Sequence, residues 1–227
     1  MVLSISVFTE VLFYFFSYKK NLKASHGSYN IAFIHLPMER ILIEEKHFEE
    51  INFSATSFAE GDYENCAFIN CNFSNCNLSG TNFWECTFTD CNMSMAKLTK
   101  TAFRDCVFTG CKLLGLHFDH CNDFLFAASF DNCILNLSSF YKLKIKKTAF
   151  KNSTLHEVDF SATDLSAALF ANCDLSGAIF DTTILEKADF RTAYNYSINP
   201  EINKIKKAKF SVAGIAGLLD KYDIVIE

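Results

Sequence analysis

Residues 61–90 read GDYENCAFINCNFSNCNLSGTNFWECTFTD, and the cysteines and phenylalanines of this stretch recur at intervals of five. A large apolar residue follows two positions after the cysteine position, as at Phe68, Phe73 and Phe83. An α-helix repeats its apolar face every 3.6 residues and a strand every 2.0, so a period of five fits neither. The period predicts a chain that turns a corner once in five residues and buries one large side chain in the middle of each side.

The five-residue period runs through most of the 227-residue chain. Every fifth residue is large and apolar from Phe48 to Phe118, and the series resumes after a shift of two residues from Leu125 to Phe190. All ten cysteines occupy the same position of the five-residue repeat when the shift of two residues is taken into account. We interpret this position as a second inward-facing one that has room only for a small side chain. The inward thiols predicted on this basis include Cys66, Cys71, Cys76, Cys86, Cys91, Cys106 and Cys111.

The repeated motif reads A/C/T–N/D–F/L–S/T–x, with Cys76-Asn77-Leu78-Ser79-Gly80 as one example. Over residues 48–190 the chain closely resembles the pentapeptide-repeat family. The resemblance implies an all-β fold, namely a right-handed quadrilateral β-helix of about seven to eight coils that stack at roughly 4.8 Å. Four pentads make one coil, so residues 20 apart lie above one another. The buried phenylalanine column expected on one side contains Phe48, Phe68, Phe88, Phe108, Phe150, Phe170 and Phe190.

The cysteines allow three interpretations, which are a disulfide scaffold, a zinc site and buried free thiols. The common phase points every thiol inward with parallel side chains, which favours free thiols and a reducing, cytoplasmic location. Half of the residues are apolar and 25 are phenylalanine, so we expect one continuous core.

The sequence contains no nucleophile motif, phosphate loop or dinucleotide fingerprint, so we expect no enzyme and no cofactor. His117, His120 and Cys121 cluster at the phase shift and raise the question of a metal site. Their positions in the repeat predict that the three side chains point in different directions, and we therefore expect no metal site there.

The two ends of the chain depart from the repeat. Residues 1–37 form a leader without the repeat. We favour a disordered segment, or one that lies outside the native start of the protein, over a membrane anchor, and we favour a membrane anchor over a signal peptide. An amphipathic helix packed on the rod end is a further alternative. Residues 38–210 form the predicted β-helix.

Residues 211–227 are expected to form a cap made of a short helix and a strand at residues 224–226. Ser211 is the predicted N-cap residue of the helix. Apolar residues at helical spacing make this segment a candidate dimer contact. The residues proposed for that contact are Val212, Ile215, Leu218 and Leu219.

The net charge is −5, and residues 38–227 carry 18 basic and 25 acidic side chains, a net charge of −7. An acidic rod favours basic partners and disfavours nucleic acid. Trp84 is predicted at an exposed corner, and the lysine-rich stretch 142–151 predicts a local positive patch. The candidate acidic partner face comprises Glu60, Asp62, Glu64, Glu85, Asp90 and Asp105.

The charged lead into the repeat at residues 43–48 and the expected helix and strand at its end resemble the Qnr-type, topoisomerase-protecting branch of the family. That resemblance implies a homodimer formed through the C-terminal end, which binds DNA gyrase or topoisomerase IV as a DNA mimic and protects it from quinolones or toxins. The alternative is a generic protein-interaction scaffold with an unknown partner. We expect no direct binding to nucleic acid and no membrane association.

Overall fold

The computed structural model describes residues 40–56, 58–124 and 126–225. The predicted leader, residues 1–37, therefore lies outside the described residues. The strands are β1 (Ile41–Glu44), β2 (His47–Glu49), β3 (Gly61–Glu64), β4 (Ala67–Ile69), β5 (Asn82–Trp84), β6 (Thr87–Thr89), β7 (Ala102–Arg104), β8 (Cys106–Thr109), β9 (Ala128–Asp131), β10 (Ala149–Lys151) and β11 (Leu169–Ala171). Short 3₁₀ turns lie at Phe118–His120, Ile215–Leu218 and Asp220–Tyr222.

All strands pair in parallel, in one sheet of order β1-β3-β5-β7 and another of order β11-β10-β9-β8-β6-β4-β2. Partners are 20 residues apart, as in Phe48↔Phe68, except across the phase shift, where Phe108 pairs with Phe130. Isolated parallel bridges such as Asn72↔Asn92 connect coils between these sheets. The structure is thus an all-β parallel solenoid, and the predicted fold class is confirmed.

The repeat motif has a local physical cause. At many pentads the Asn or Asp before the buried centre accepts a hydrogen bond from the backbone N–H of the residue after the centre, for example Ser74 N to Asn72 Oδ1 at 3.0 Å and Ser161 N to Asp159 Oδ1 at 2.8 Å. The residue two after the centre then turns the corner in the left-handed region, with φ of 51° at Asn70. Short polar side chains such as asparagine tolerate this region better than bulky ones.

The buried phenylalanines of the longer sheet stack in one column with ring centroids 4.6–5.4 Å apart. This separation matches the strand spacing of about 4.8 Å, because each ring belongs to one coil. The column consists of Phe48, Phe68, Phe88, Phe108, Phe130, Phe150, Phe170, Phe190 and Phe210. The core therefore runs the length of the described rod.

All ten cysteines are buried and free, including the seven predicted inward thiols. Most thiols lie against a backbone carbonyl one coil earlier, such as Cys106 Sγ to Phe83 O at 3.4 Å. The hydroxyl of Thr101 makes the same bond to Leu78 O at 2.8 Å. The position therefore suits small side chains that carry a hydrogen-bond donor.

The phase shift is a short irregular segment that begins at the 3₁₀ turn Phe118–His120. Leu125, where the sequence predicts that the series resumes, lies outside the described residues, and Phe126 is buried beside Phe103 and Phe118. The expectation that His117 and His120 diverge is wrong, because their rings stack with centroids 4.8 Å apart.

The C-terminal segment corrects two predictions. Residues 211–225 form two 3₁₀ turns in place of an α-helix, and Ile224 and Val225 lie outside any strand. The predicted cap bond does form, from Gly214 N–H to Ser211 Oγ at 3.0 Å. The segment lies flat on the last coil, where the Gly217 carbonyl accepts a hydrogen bond from Ile198 N–H at 2.8 Å. A carbonyl engaged by another segment is unavailable to an α-helical ladder.

Replacing Gly217 by valine is expected to lower the free energy of unfolding by about 1–3 kcal/mol, because a branched side chain overpacks this site. A β-carbon there would collide with the backbone carbonyl of Tyr196. Urea unfolding and limited proteolysis measure the effect, and we expect faster cleavage within residues 211–225. Ala213→Val is the matched control, because Ala213 is exposed. Equal stability of the two variants would contradict the close packing of Gly217.

None of the helical segments within residues 40–56, 58–124 and 126–225 is long and apolar enough to cross a membrane.

Candidate interaction surface

Five carboxylates cluster on the face formed by β1, β3, β5 and β7. Glu44 in β1 pairs directly with Glu64 in β3, and the corners that follow these strands carry Glu45, Glu85 and Asp105. Parallel pairing in register sets residues 20 apart side by side, so acidic residues from separate pentads meet on one surface. We call these five residues the acidic patch.

The carboxylates of the acidic patch form no direct ion pair, although Arg104, Lys146 and Lys147 lie in the vicinity of Asp105. Within the described ranges, no basic side chain comes within 4.0 Å of any of its five carboxylates. Glu44, Glu45, Glu85 and Asp105 are exposed, and Glu64 is half-buried. The patch therefore presents five carboxylates without a direct ion pair, and its net charge towards solvent is negative.

The other predicted acidic residues differ from this patch in pairing or in position, although Asp62 lies in β3 beside Glu64. Asp62 and Glu60 lie beside Arg40, whose guanidinium is 2.9 Å from Asp62 and 3.9 Å from Glu60, so their charge is partly compensated. Asp90 follows β6 in the other sheet and lies on a different side of the rod. Of the six predicted residues, Glu64, Glu85 and Asp105 lie on this face without a direct ion pair.

Trp84 lies within strand β5 and is half-buried, so the prediction of an exposed corner is wrong. As the residue directly after a buried centre, it lies on the flat side of the coil, where Arg104 of the next coil covers it at 5.0 Å from the ring centroid. Arg104 also lies 5.7 Å from the ring of Phe124, which is 65% exposed. The spacing of 20 between Trp84 and Arg104 was the sequence signal for this contact.

The same region becomes basic beyond the phase shift. Lys146 and Lys147 line a shallow depression together with Asp105 and Phe126. Lys146 lies 3.2 Å from Asp164. Burial works to raise the pKa of the Asp164 carboxyl, but hydrogen bonds from Ser166 and Lys146 outweigh it, so this pKa lies below its usual value.

Two other lysines of the predicted positive patch lie on other parts of the coil. Lys142 lies over the ring of Tyr141 at 4.7 Å, and Lys151 ends β10 in the other sheet. Lys144, Lys146 and Lys147 share one side of the coil around the buried Ile145, so only part of the lysine-rich stretch 142–151 forms the predicted patch.

The four predicted dimer contacts differ in exposure. Val212 is 91% and Ile215 51% exposed, whereas Leu218 packs against the core and Leu219 is half-buried. Val225, which is 86% exposed, adds a further apolar side chain in the same C-terminal segment. Two of the four predicted residues are thus free to meet another surface.

Comparison with known proteins supports the architecture. The family model described as pentapeptide repeats (8 copies) matches residues 47–84, 66–105 and 86–122, and the pentapeptide repeat region model matches residues 124–194. No curated protein matches the chain.

Two solved structures share the fold at low identity. HetL, a pentapeptide repeat protein involved in heterocyst differentiation regulation in the cyanobacterium Nostoc, is 19% identical, with a TM-score of 0.54 over 76% of this chain and 87% of HetL. A trypsin-treated form of QnrB1, a plasmid-mediated fluoroquinolone resistance protein, is 19% identical, with a TM-score of 0.50 over 82% of this chain and 92% of that one. Together with the matched repeats, the stacked coils establish that this chain belongs to the pentapeptide-repeat family.

Proposed function

We propose that this protein is a non-enzymatic binding rod whose acidic patch engages a basic surface on a protein partner, and that the first partner to test is DNA gyrase or topoisomerase IV. The observation that carries the proposal is the grouping of five carboxylates without direct ion pairs, Glu44, Glu45, Glu64, Glu85 and Asp105, on one face. Complementary charge of this kind steers association and selects the partner more than it adds raw affinity.

The charge density of the acidic patch supports DNA mimicry. Its five carboxylates span the four strands of one sheet, a length of about 14 Å at the usual strand spacing. This amounts to about one charge per 3 Å, close to the one charge per roughly 3.4 Å along a single DNA strand. Because Lys146 and Lys147 lie further along the same face, the resemblance to DNA is confined to the N-terminal half of the rod.

The choice of partner rests on the resemblance to the Qnr-type branch. The likeness to QnrB1 concerns the fold alone, and HetL is similar to the same degree, so the enzyme must be tested directly. A partner that binds DNA has a basic groove of the kind that the acidic patch complements.

The test is a DNA supercoiling assay with gyrase, with and without a quinolone, into which the full chain is titrated. Rescue of supercoiling in the presence of drug would support protection, and inhibition without rescue would support DNA mimicry alone. No effect on gyrase or topoisomerase IV at micromolar protein would contradict the topoisomerase proposal.

A charge-reversed variant tests the surface itself. Glu85→Lys combined with Asp105→Lys is expected to weaken the effect on the topoisomerase at least about tenfold, because close charge pairs at interfaces contribute more than 1 kcal/mol. Asp90→Lys combined with Glu157→Lys is the matched control, because these exposed residues lie at other corners with the same left-handed backbone and the same charge change. Lys147 already occupies such a corner at φ 62°, so the substitution suits the backbone. An equal loss of the effect on the topoisomerase in both variants would show that the acidic patch is not the contact surface.

The second candidate function is a generic scaffold that binds an acidic partner through the basic half of the same face. Lys146 and Lys147, which border the depression beyond the phase shift, favour it. Glu substitutions at these two lysines would abolish partner capture if this surface is used and leave the topoisomerase assay unchanged.

We also propose a homodimer through the exposed apolar residues Val212 and Ile215 and a cytoplasmic location. The exposed apolar side chains of the C-terminal segment support the homodimer. The ten buried free thiols fit a reducing compartment such as the cytoplasm. Sedimentation of the full chain and of a Val212→Ser, Ile215→Ser variant tests the dimer. A monomeric wild type would exclude it.

A further inference from the structure

We propose that His117, Asp119 and His120 form a surface site for a divalent transition-metal ion, with Zn²⁺ as the ion of choice. The three residues surround the 3₁₀ turn at the phase shift, on a side of the rod away from the acidic patch. One ligand atom from each residue lies within 4.8 Å of the others.

The distances between the donor atoms are close to those that a tetrahedral zinc ion requires. His117 Nδ1 lies 3.3 Å from Asp119 Oδ1, and His120 Nε2 lies 3.7 Å from Asp119 Oδ2. Tetrahedral zinc binds nitrogen and carboxylate oxygen at about 2.0–2.2 Å, which places neighbouring ligand atoms about 3.3–3.5 Å apart. The rings are nearly parallel, at an interplanar angle of 12°, so they must tilt towards each other to share one ion. Both histidine side chains are 57% exposed and have room for this rotation.

The backbone that carries these ligands is held in place. Residues three apart are eclipsed in a 3₁₀ turn, which sets His117 and His120 one above the other. Phe118, between them, is fully buried and stacks on Phe140 at 4.6 Å. The His120 carbonyl also accepts a hydrogen bond from Lys100 N–H on the preceding coil at 2.9 Å. Two ligands on an anchored turn lose little conformational entropy when they bind an ion.

The donor set selects the class of metal. Imidazole suits zinc, nickel, copper and cobalt, whereas magnesium and calcium prefer sites built from oxygen alone. Two histidines and one carboxylate leave a fourth zinc position for water or for a side chain of a partner. Lys100 places a positive charge on the neighbouring coil, so we expect a dissociation constant in the micromolar range.

The test is titration of the metal-free full chain with Co²⁺, read by visible absorption, and with Zn²⁺, read by calorimetry. We expect one equivalent to bind at this site, with the cobalt spectrum of nitrogen and oxygen ligands. His117→Ala combined with His120→Ala should weaken that binding at least tenfold while the circular dichroism spectrum stays unchanged.

His156→Ala is the matched control. The imidazole of His156 also contacts a carboxylate, Asp174 Oδ2, at 3.0 Å. Within the described ranges, however, His156 belongs to no group of three side chains that could bind a metal ion. This variant should bind metal as the wild type does. Undiminished binding in the double variant, a thiolate-to-cobalt absorption band from the cysteines, or the absence of binding at millimolar metal would each overturn the proposal.

Discussion

Replacing Phe88 by alanine is expected to lower the free energy of unfolding by about 3–5 kcal/mol, the usual cost of removing a buried phenylalanine ring. Phe88 is fully buried and stacks on Phe68 at 4.9 Å and on Phe108 at 4.8 Å. In a solenoid each coil contacts its two neighbours alone, so one cavity weakens both interfaces at once. Urea unfolding followed by far-ultraviolet circular dichroism measures the loss.

The matched control is Phe88→Leu, because leucine already fills equivalent buried centres at Leu78 and Leu98. It is expected to cost less than about 1.5 kcal/mol, since it keeps the site apolar and most of its volume. An alanine variant as stable as the leucine variant would show that the phenylalanine column does not hold neighbouring coils together.

The second large effect is a loss of stability at alkaline pH. Burial raises the pKa of the Cys106 thiol to about 12 and that of Cys173 to about 11, from an ordinary value of 9.0. Between pH 9 and 11 the unfolded chain releases these protons while the folded chain keeps them, so stability is full below pH 9 and falls as pH rises. At pH 10 each thiol lowers the free energy of unfolding by about 1.4 kcal/mol.

The measurement is the free energy of unfolding in urea at pH 7.5 and at pH 10, with a reducing agent present. Cys106→Ser combined with Cys173→Ser is the control, because serine does not titrate in this range and Ser153 already occupies an inward position of the column between Cys133 and Cys173. The wild type should lose about 2.8 kcal/mol more than this variant on going to pH 10. Equal losses would mean that these thiols ionise in the folded protein.

The period of five was sufficient to predict which residues are buried. Phe68, Phe88 and Cys86 take inward positions because a left-handed corner recurs at most pentads, and this corner depends on residues adjacent in sequence. A local rule of this kind can be recognised in the sequence alone. The resemblance to the pentapeptide-repeat family, which implies four pentads in one coil, added the parallel stacking of residues 20 apart.

The candidate sites were predicted less well, because they depend on which side of the coil each residue occupies. Glu85 and Asp90 are five residues apart and occupy equivalent corners, yet they lie on different sides of the rod. The pairing of Trp84 with Arg104 and the contact of Arg104 with Phe124 join residues from separate coils.

The solenoid, its buried columns and its free thiols could be predicted from the sequence, because they follow from short-range repetition of residue size and turn chemistry and, for the four-sided coil, from the family resemblance. The grouping of carboxylates into the acidic patch, the convergence of His117 and His120, and the two 3₁₀ turns at the C-terminus became visible in the three-dimensional structure alone. Each of these depends on contacts between coils or on a turn that departs from the repeat. At such points the hydrogen bonds and packing of neighbouring segments outweigh the local pattern.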